Sequence, residues 1–335
     1  MLEFVSEWAN GRFGIVGSIV LFAIGFLALI KGGDWFVDGS VGIAKKFHIP
    51  ELLIGATVVA IGTTLPEVMV SATSAAKGIS QIAYGNAIGS IICNTALIAA
   101  LTVAIKPALV NKKTLVLPVV SFFIVALLYA GTAEFKGYFS RTLGVVLLAM
   151  FVIYMVISVI HALKHPEEEG LEEEGKQLPL GKSIFFLILG AALIAVGANF
   201  LVDNGTIIAK ALRVPDSVIG LTIIALGTSL PELVTAITSL VKGHGALSLG
   251  NIIGANIFNL VLVSGMAITI KPFEVPAEKL IGNGLNASLV VDVPVMLLVM
   301  ALLTLPPLFS GKLKRWQGVT LLAIYLGFIV FQFVR

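Results

Sequence analysis

Runs of about twenty apolar residues recur along this chain almost from end to end, and each can cross a hydrocarbon layer roughly 30 Å thick. Only helices or closed barrels satisfy every backbone N–H and C=O inside lipid, and runs of this length are helical in scale. Composition agrees: 58% of the 335 residues are hydrophobic and 12% are charged, where a soluble globule carries about 25%. One polytopic all-α domain is expected, with no soluble domain of useful size left over. The basic residues are scattered over short loops instead of forming a patch, which argues against a nucleic-acid partner. A single cysteine, Cys93, excludes an intrachain disulfide and reads as a small packing residue in an apolar helix. The N-terminus carries Glu3 and Glu7 and lacks the basic start of a cleaved signal, so the first apolar run is expected to remain as a span.

Taken in order, the runs predict a long first helix from Ile15 through Phe47 and a second beginning at Pro50 and reaching Ala76. A Gly-rich third follows over Ile82 to Ala104, then a fourth and fifth over Leu115 to Ala130 and Leu143 to Leu163. The composition then breaks: His165 to Leu178 holds two glutamate triplets, Glu167 to Glu169 and Glu172 to Glu174, with no apolar period. This reads as a solvated connector. The plan then repeats over Ile184 to Leu212, Pro215 to Val241, Leu247 to Ile270, Leu289 to Leu308 and Val319 to Val334. The reading is ten transmembrane helices in two five-helix repeats, residues 1–164 and 181–335, joined by an acidic linker at 165–180 within one transport domain. A unit that crosses five times leaves its copy the other way up, so the repeats are expected to be inverted, the build of many secondary transporters.

The repeats are visible residue by residue. Gly62-Thr63-Thr64-Leu65-Pro66-Glu67 returns 165 residues later as Gly227-Thr228-Ser229-Leu230-Pro231-Glu232. The same offset carries Asp38 to Asp203, Lys77 to Lys242, Gly85-Asn86 to Gly250-Asn251 and Asn94 to Asn259. A carboxylate inside a membrane helix is costly and needs a partner, yet neither Glu67 nor Glu232 has a Lys or Arg nearby in sequence. A bound cation is the economical partner. Two carboxylates with hydroxyls and backbone carbonyls form an all-oxygen cage of the kind a hard ion such as calcium selects. Pro66 and Pro231 release carbonyls for it by breaking the helix, and Gly62 and Gly227 let the backbone bend there. Asp34, Asp38 and Asp203 are expected at solvated or interfacial ends, and Asp292 is left outside the site. The four histidines fall near loops and no His-Glu-x-x-His or Ser/His pairing lies within a span, so enzyme chemistry is not expected.

These two motifs, with Gly85-Asn86-Ala87-Ile88-Gly89-Ser90-Ile91-Ile92-Cys93-Asn94 and Gly250 to Asn259, resemble the paired alpha-repeats of the sodium/calcium exchanger family, within the calcium:cation antiporter superfamily. The ten-span layout and acidic loop are similar to its compact prokaryotic members. The resemblance implies sodium-for-calcium exchange by alternating access, with the first helix of each repeat sliding against the other eight. It implies a calcium site made by the Glu67 and Glu232 carboxylates and the Thr63 and Thr228 carbonyls. Flanking sodium sites would use the Ala60 carbonyl, Thr64 and Ser90 on one side and the Ala225 carbonyl and Ser229 on the other, with Asn94 and Asn259 approaching the centre. Two departures stand out: Ala255 where members commonly have serine, and Asn259 where many have aspartate.

Two ionised glutamates balance one divalent cation. They can equally be neutralised by protons when it leaves, so a calcium/proton antiporter is the alternative, and a cation channel a more distant one. Potassium co-transport, which resembling exchangers achieve with an acid near position 259, is not expected. No cofactor is expected; calcium and sodium enter as transported ions, the bilayer is the other partner, and no pattern marks an obligatory protein partner. The expected location is the cell membrane. The face bearing Lys45, Lys46, Lys112, Lys113, Lys164 and Lys182 is the richer in Lys and Arg, which places the acidic linker in the cytoplasm and both termini outside.

Overall fold

The structure, a computed structural model, describes residues 2–164, 178–212, 227–277, 280–281 and 284–333. The acidic run 165–177 and residues 213–226, which include Ala225, lie outside the described residues. The described chain is almost entirely helical: α1 (Leu2–Phe13), α2 (Ile15–Phe47), α3 (Glu51–Ala76), α4 (Ser80–Ile105), α5 (Lys112–Lys136), α6 (Arg141–Lys164), α7 (Leu180–Ala211), α8 (Leu230–Val241), α9 (Gly245–Ile270), α10 (Ser288–Ser310) and α11 (Arg315–Phe333). Eight of these, α2 to α7, α9 and α10, are long and apolar enough to cross a membrane. The described part of α8 is shorter, and α11 occupies the place of the last expected span. The outward positions are themselves apolar, as at Leu27, Leu127, Ile153 and Leu326, which suits lipid as the surrounding solvent.

Helix ends sort onto two faces. On one, β1 (Tyr138–Phe139) pairs antiparallel with β2 (Phe273–Glu274), joining the end of α5 to the end of α9. On the other, Leu109 bridges to Lys312, and the Val110 N–H donates to the Gly311 carbonyl at 2.9 Å. Lys242, at the end of α8, lies on this second face. A short hairpin, β3 (Leu280–Ile281) with β4 (Leu285–Asn286), precedes α10.

Glycine decides how closely the helices approach. Ser18, Gly25, Gly32 and Gly39 recur every seven residues on α2, as do Ser183, Gly190, Gly197 and Asn204 on α7, and all eight are buried. The two helices run antiparallel with these rows in contact. A Cβ built on Gly25 would stand 2.9 Å from the Gly197 carbonyl oxygen, one on Gly32 2.9 Å from that of Gly190, and one on Gly39 2.6 Å from that of Ser183. Apolar side chains gain little from leaving lipid for one another, so backbone-to-backbone packing through small residues supplies the contact instead. A strict seven-residue row also favours a shallow left-handed crossing.

The inner layer is α3, α4, α8 and α9. In α9 83% of the most apolar stretch is buried and in α4 72%, against 28% in α2 and 22% in α7, so the duplicated motifs lie at the centre with the α2–α7 pair outside them. Both α4 and α9 contain one π-helical turn, Asn94–Ala99 and Asn259–Ser264, again 165 residues apart. The duplication thus extends to a backbone irregularity. In α3 the irregularity differs from expectation. The helix does not break at Gly62 to Glu67 but continues through it with Pro66 inside, and the π-helical turn comes earlier, at Gly55–Val59. Gly55 is where α9 crosses closely, a Cβ there meeting the Leu247 carbonyl oxygen at 2.5 Å. Tyr154 donates to the Ala56 carbonyl in that turn at 3.1 Å. In the second repeat the expected departure is present: Ser229 has φ −91° and ψ 6°, and α8 starts at Leu230 with Pro231 in its first turn, where its missing N–H costs nothing.

The seam makes a direct prediction. Gly32→Val should overpack it and lower stability by about 1–3 kcal/mol, whereas Gly181→Ala, on the same pair of helices but with no neighbour in contact range, should not. Thermal unfolding in detergent distinguishes the two, and equal melting temperatures would contradict the close-packed seam.

Candidate cation-binding site

Glu67 lies one residue after Pro66 in α3, and Glu232 one residue after Pro231 in the first turn of α8. The four inner helices that carry the duplicated motifs are in mutual contact, α3 with α4, α8 and α9, and α8 with α9. Both carboxylates are completely buried, at 0% exposure, and each lies within electrostatic reach of the other. Among the described residues none of their four oxygens has a hydrogen-bond partner at normal geometry, and no Lys or Arg pairs with either. Leaving such a group without a donor or counter-charge is far costlier than leaving a neutral one.

The surrounding groups are neutral oxygens and amides. Thr64, Ser229 and Asn94 each carry a buried oxygen without a hydrogen-bond partner, and both side-chain atoms of Asn259 are in the same condition. Thr63 lies beside the Glu232 carboxylate and donates its hydroxyl to Asn251 Oδ1 at 3.1 Å, with the Ala60 carbonyl oxygen a second acceptor at 3.3 Å. Asn86 Nδ2 donates to the Glu67 carbonyl oxygen at 3.1 Å and to Ser71 Oγ at 2.9 Å, which fixes the backbone at the acid. The Asn259 carbonyl, at the start of its π-helical turn, accepts from Ser264 Oγ at 3.0 Å. Among the described residues no three His, Cys, Asp or Glu side chains come together, so a cation here would meet two carboxylates and neutral oxygens. This donor set suits a hard cation and not zinc.

The two sides of the glutamates differ. Toward the β1–β2 face, a cleft of about 210 Å³ is lined by Pro66 and Val70 of α3, Ala195, Asn199 and Val202 of α7, and Gly227, Thr228 and Pro231 at the second motif. Toward the Lys242 face the corresponding space is filled. Gly33 of α2 abuts Val234 and Thr238 of α8, and Lys242 Nζ bonds Asp38 at 2.7 Å and pairs with Asp34 at 3.4 Å.

Most residues singled out from the sequence lie in this inner layer. Glu67, Glu232, Thr63, Thr64, Ala60, Ser90, Asn94, Ser229 and Asn259 are all buried, while Thr228 lines the cleft. Asp34 and Asp38 are partly exposed, as expected, but serve as partners of Lys242. Asp292 accepts from Gln332 at 3.0 Å, away from the glutamates. Cys93 is buried packing, yet it sits in the field of both glutamates next to Ser229, and Tyr325 lies 3.8 Å from its sulfur. Sequence reasoning passed over Lys242, although its repeat-mate Lys77 marks the position, and Asn256, which has no polar mate in the first repeat.

A family model described as sodium/calcium exchanger protein matches residues 17–160 and 182–334. The chain is 37% identical over 306 residues to an uncharacterized membrane protein of Methanocaldococcus jannaschii, covering 91% of this chain and 94% of that one. It is 36% identical to a putative antiporter, CaxA, of Alkalimonas amylolytica, covering 94% and 97%, and 29% identical to the sodium/calcium exchanger MaX1 of Methanosarcina acetivorans, covering 95% and 99%. Among solved structures, the sodium-calcium exchanger NCX_Mj soaked with sodium and strontium superposes with a TM-score of 0.79 at 33% identity, over 96% of this chain and 100% of that one.

The closed side yields a prediction. The Lys242 ion pairs are partly solvated, with side-chain exposures of 25% for Lys242, 39% for Asp34 and 42% for Asp38, so their contribution is modest. With Cys93→Ser removing the native thiol, a cysteine replacing Thr238 should react with a polar maleimide roughly two- to fivefold faster when Lys242→Gln is added. An unchanged rate would show that Lys242 does not help to close this face.

Proposed function

The chain belongs to the sodium/calcium exchanger family, and from that premise we propose that it is a secondary active antiporter exchanging sodium for calcium by alternating access. The observation that carries this reading is the pair of fully buried carboxylates, Glu67 and Glu232, within each other's field and without a hydrogen-bond donor or cationic side chain paired to them among the described residues. In this reading one calcium ion supplies the missing charge, held by the two carboxylates and the backbone carbonyls of Thr63 and Thr228. Sodium ions use the Ala60 carbonyl, Thr64 and Ser90 on one side and the Ala225 carbonyl and Ser229 on the other, with Asn94 and Asn259 at the centre. Sodium competes because the same oxygens suit either hard ion, and a cage that is occupied by one is denied to the other.

The architecture in this proposal is ten spans in two inverted five-helix repeats, 1–164 and 181–335, on either side of the linker. It is supported by the 165-residue duplication and by the matched π-helical turns. Alternating access is supported by the unequal sides: a cleft toward the β1–β2 face and close packing toward the Lys242 face. Movement of the α2–α7 pair relative to the inner layer exchanges these two conditions. Helical, glycine-packed contacts favour sliding of whole elements over local melting. The protein is placed in the cell membrane with the termini outside and the linker in the cytoplasm.

A proton-coupled calcium antiporter is the second reading, favoured by the same two carboxylates, which two protons neutralise as completely as one calcium ion does. Transport separates the readings. Proteoliposomes loaded with sodium and diluted into sodium-free medium should take up calcium, while an imposed pH gradient alone should not drive uptake. Glu67→Gln and Glu232→Gln should each reduce uptake by about a hundredfold or more without preventing folding, because each removes a charged ligand. Uptake driven only by the pH gradient would move the protein to the proton-coupled reading. Sodium-driven uptake that survives Glu67→Gln would remove Glu67 from the site.

A further inference from the structure

We propose that Asn256 is a positioning residue that turns Asn94 so that its carboxamide oxygen, and not its NH2 group, is offered to the transported cation. The inference rests on the cation-site reading above and adds to it a residue with no counterpart in the first repeat, where position 91 is isoleucine.

Met300 of α10 anchors the arrangement. Its thioether sulfur can only accept a hydrogen bond. Asn256 Nδ2 lies 3.1 Å from this sulfur and 2.7 Å from Thr95 Oγ1, and Thr95 Oγ1 itself stands 3.3 Å from the sulfur. Thr304 Oγ1 bonds the Met300 carbonyl at 2.6 Å and tethers that turn of α10. Turning the Asn256 amide over would set its carbonyl oxygen against the sulfur lone pairs, so the NH2 group faces Met300 and Oδ1 faces the other way. There it accepts from Asn94 Nδ2 at 3.3 Å. Asn94 thereby commits its NH2 group to Asn256, and its Oδ1 is left buried with no donor among the described residues. Asn94, Thr95, Asn256 and Met300 are completely buried, so water does not compete for these bonds.

Asn94 opens the π-helical turn of α4 that contacts α8, and its neighbour Cys93 lies in the field of both glutamates. An oxygen fixed there is a ligand for a cation; an NH2 group there would repel it. Asn259, at the equivalent place in the second repeat, has neither side-chain atom bonded, and its π-turn neighbourhood lacks a polar anchor corresponding to Asn256. The two central amides are therefore unlike: one is fixed as an acceptor and the other has no anchoring hydrogen bond among the described residues.

The test is a double-mutant cycle on calcium affinity, read by titration calorimetry on purified protein. Asn256→Leu should weaken calcium binding about tenfold when residue 94 is asparagine, but by less than about twofold in the Asn94→Asp background, because a carboxylate has no nitrogen face to present. The same loss in both backgrounds would overturn the proposal, since Asn256 would then act on the fold and not through Asn94. Met300→Leu, close in volume, repeats the cycle should Asn256→Leu not fold. It should weaken binding roughly threefold when Asn94 is present and leave binding unchanged in the Asn94→Asp background; equal effects again contradict the relay. Failure of the unsubstituted protein to bind calcium at all would overturn the cation-site reading itself, and with it this one.

Discussion

Two carboxylates buried in an apolar interior without a positive partner constrain the rest of this molecule. Water would solvate them and an arginine would pair them, but neither the surrounding side chains nor the bilayer offers either remedy. Around them, Thr64, Ser229 and Asn94 each keep a buried side-chain oxygen without a hydrogen-bond partner among the described residues. Such a set of acceptors is stable only when something positive completes it. A site with this requirement can bind cations, and one whose two sides differ in accessibility can also carry them.

The helices outside the inner layer are arranged to permit that difference. The α2–α7 pair holds together through backbone contacts at glycine, which need no interlocking side chains across the seam. Against the inner layer, α7 borders the cleft on one side, while on the other Gly33 of α2 abuts Val234 and Thr238 of α8. The repeat-related positions are chemically unequal: where α2 has Asp34, α7 has Asn199, which lines the cleft. Lys242 thus pairs with two carboxylates, whereas the residues 165 positions on from Asp34 and Asp38 are an amide, Asn199, and an aspartate, Asp203.

Much of this was legible in the sequence because it depends on local or repeated patterns. Membrane character follows from run length, the pairing of Glu67 with Glu232 from the 165-residue offset, and the family from the motifs that surround them. What escaped depends on which helix faces which. The glycine rows on α2 and α7 are periodic, but periodicity alone does not name their partner. Pro66 signals a broken helix, yet α3 absorbs it and moves its irregular turn to Gly55–Val59, beneath the crossing of α9. Asn256 was missed because comparing the two repeats favours matched residues, and its mate is Ile91. Its role comes from Met300, forty-four residues further on and in a different helix.

The central claim is that Glu67 and Glu232 together hold the cation. Equilibrium dialysis of the purified protein against radioactive calcium, with and without sodium and compared with the Glu67→Gln, Glu232→Gln double variant, tests it most directly. If the two glutamates hold the ion, calcium binding is saturable, is displaced by sodium and is lost in the double variant while it remains folded. Calcium binding of unchanged affinity in the folded double variant would contradict it, and would place the ion elsewhere in the protein.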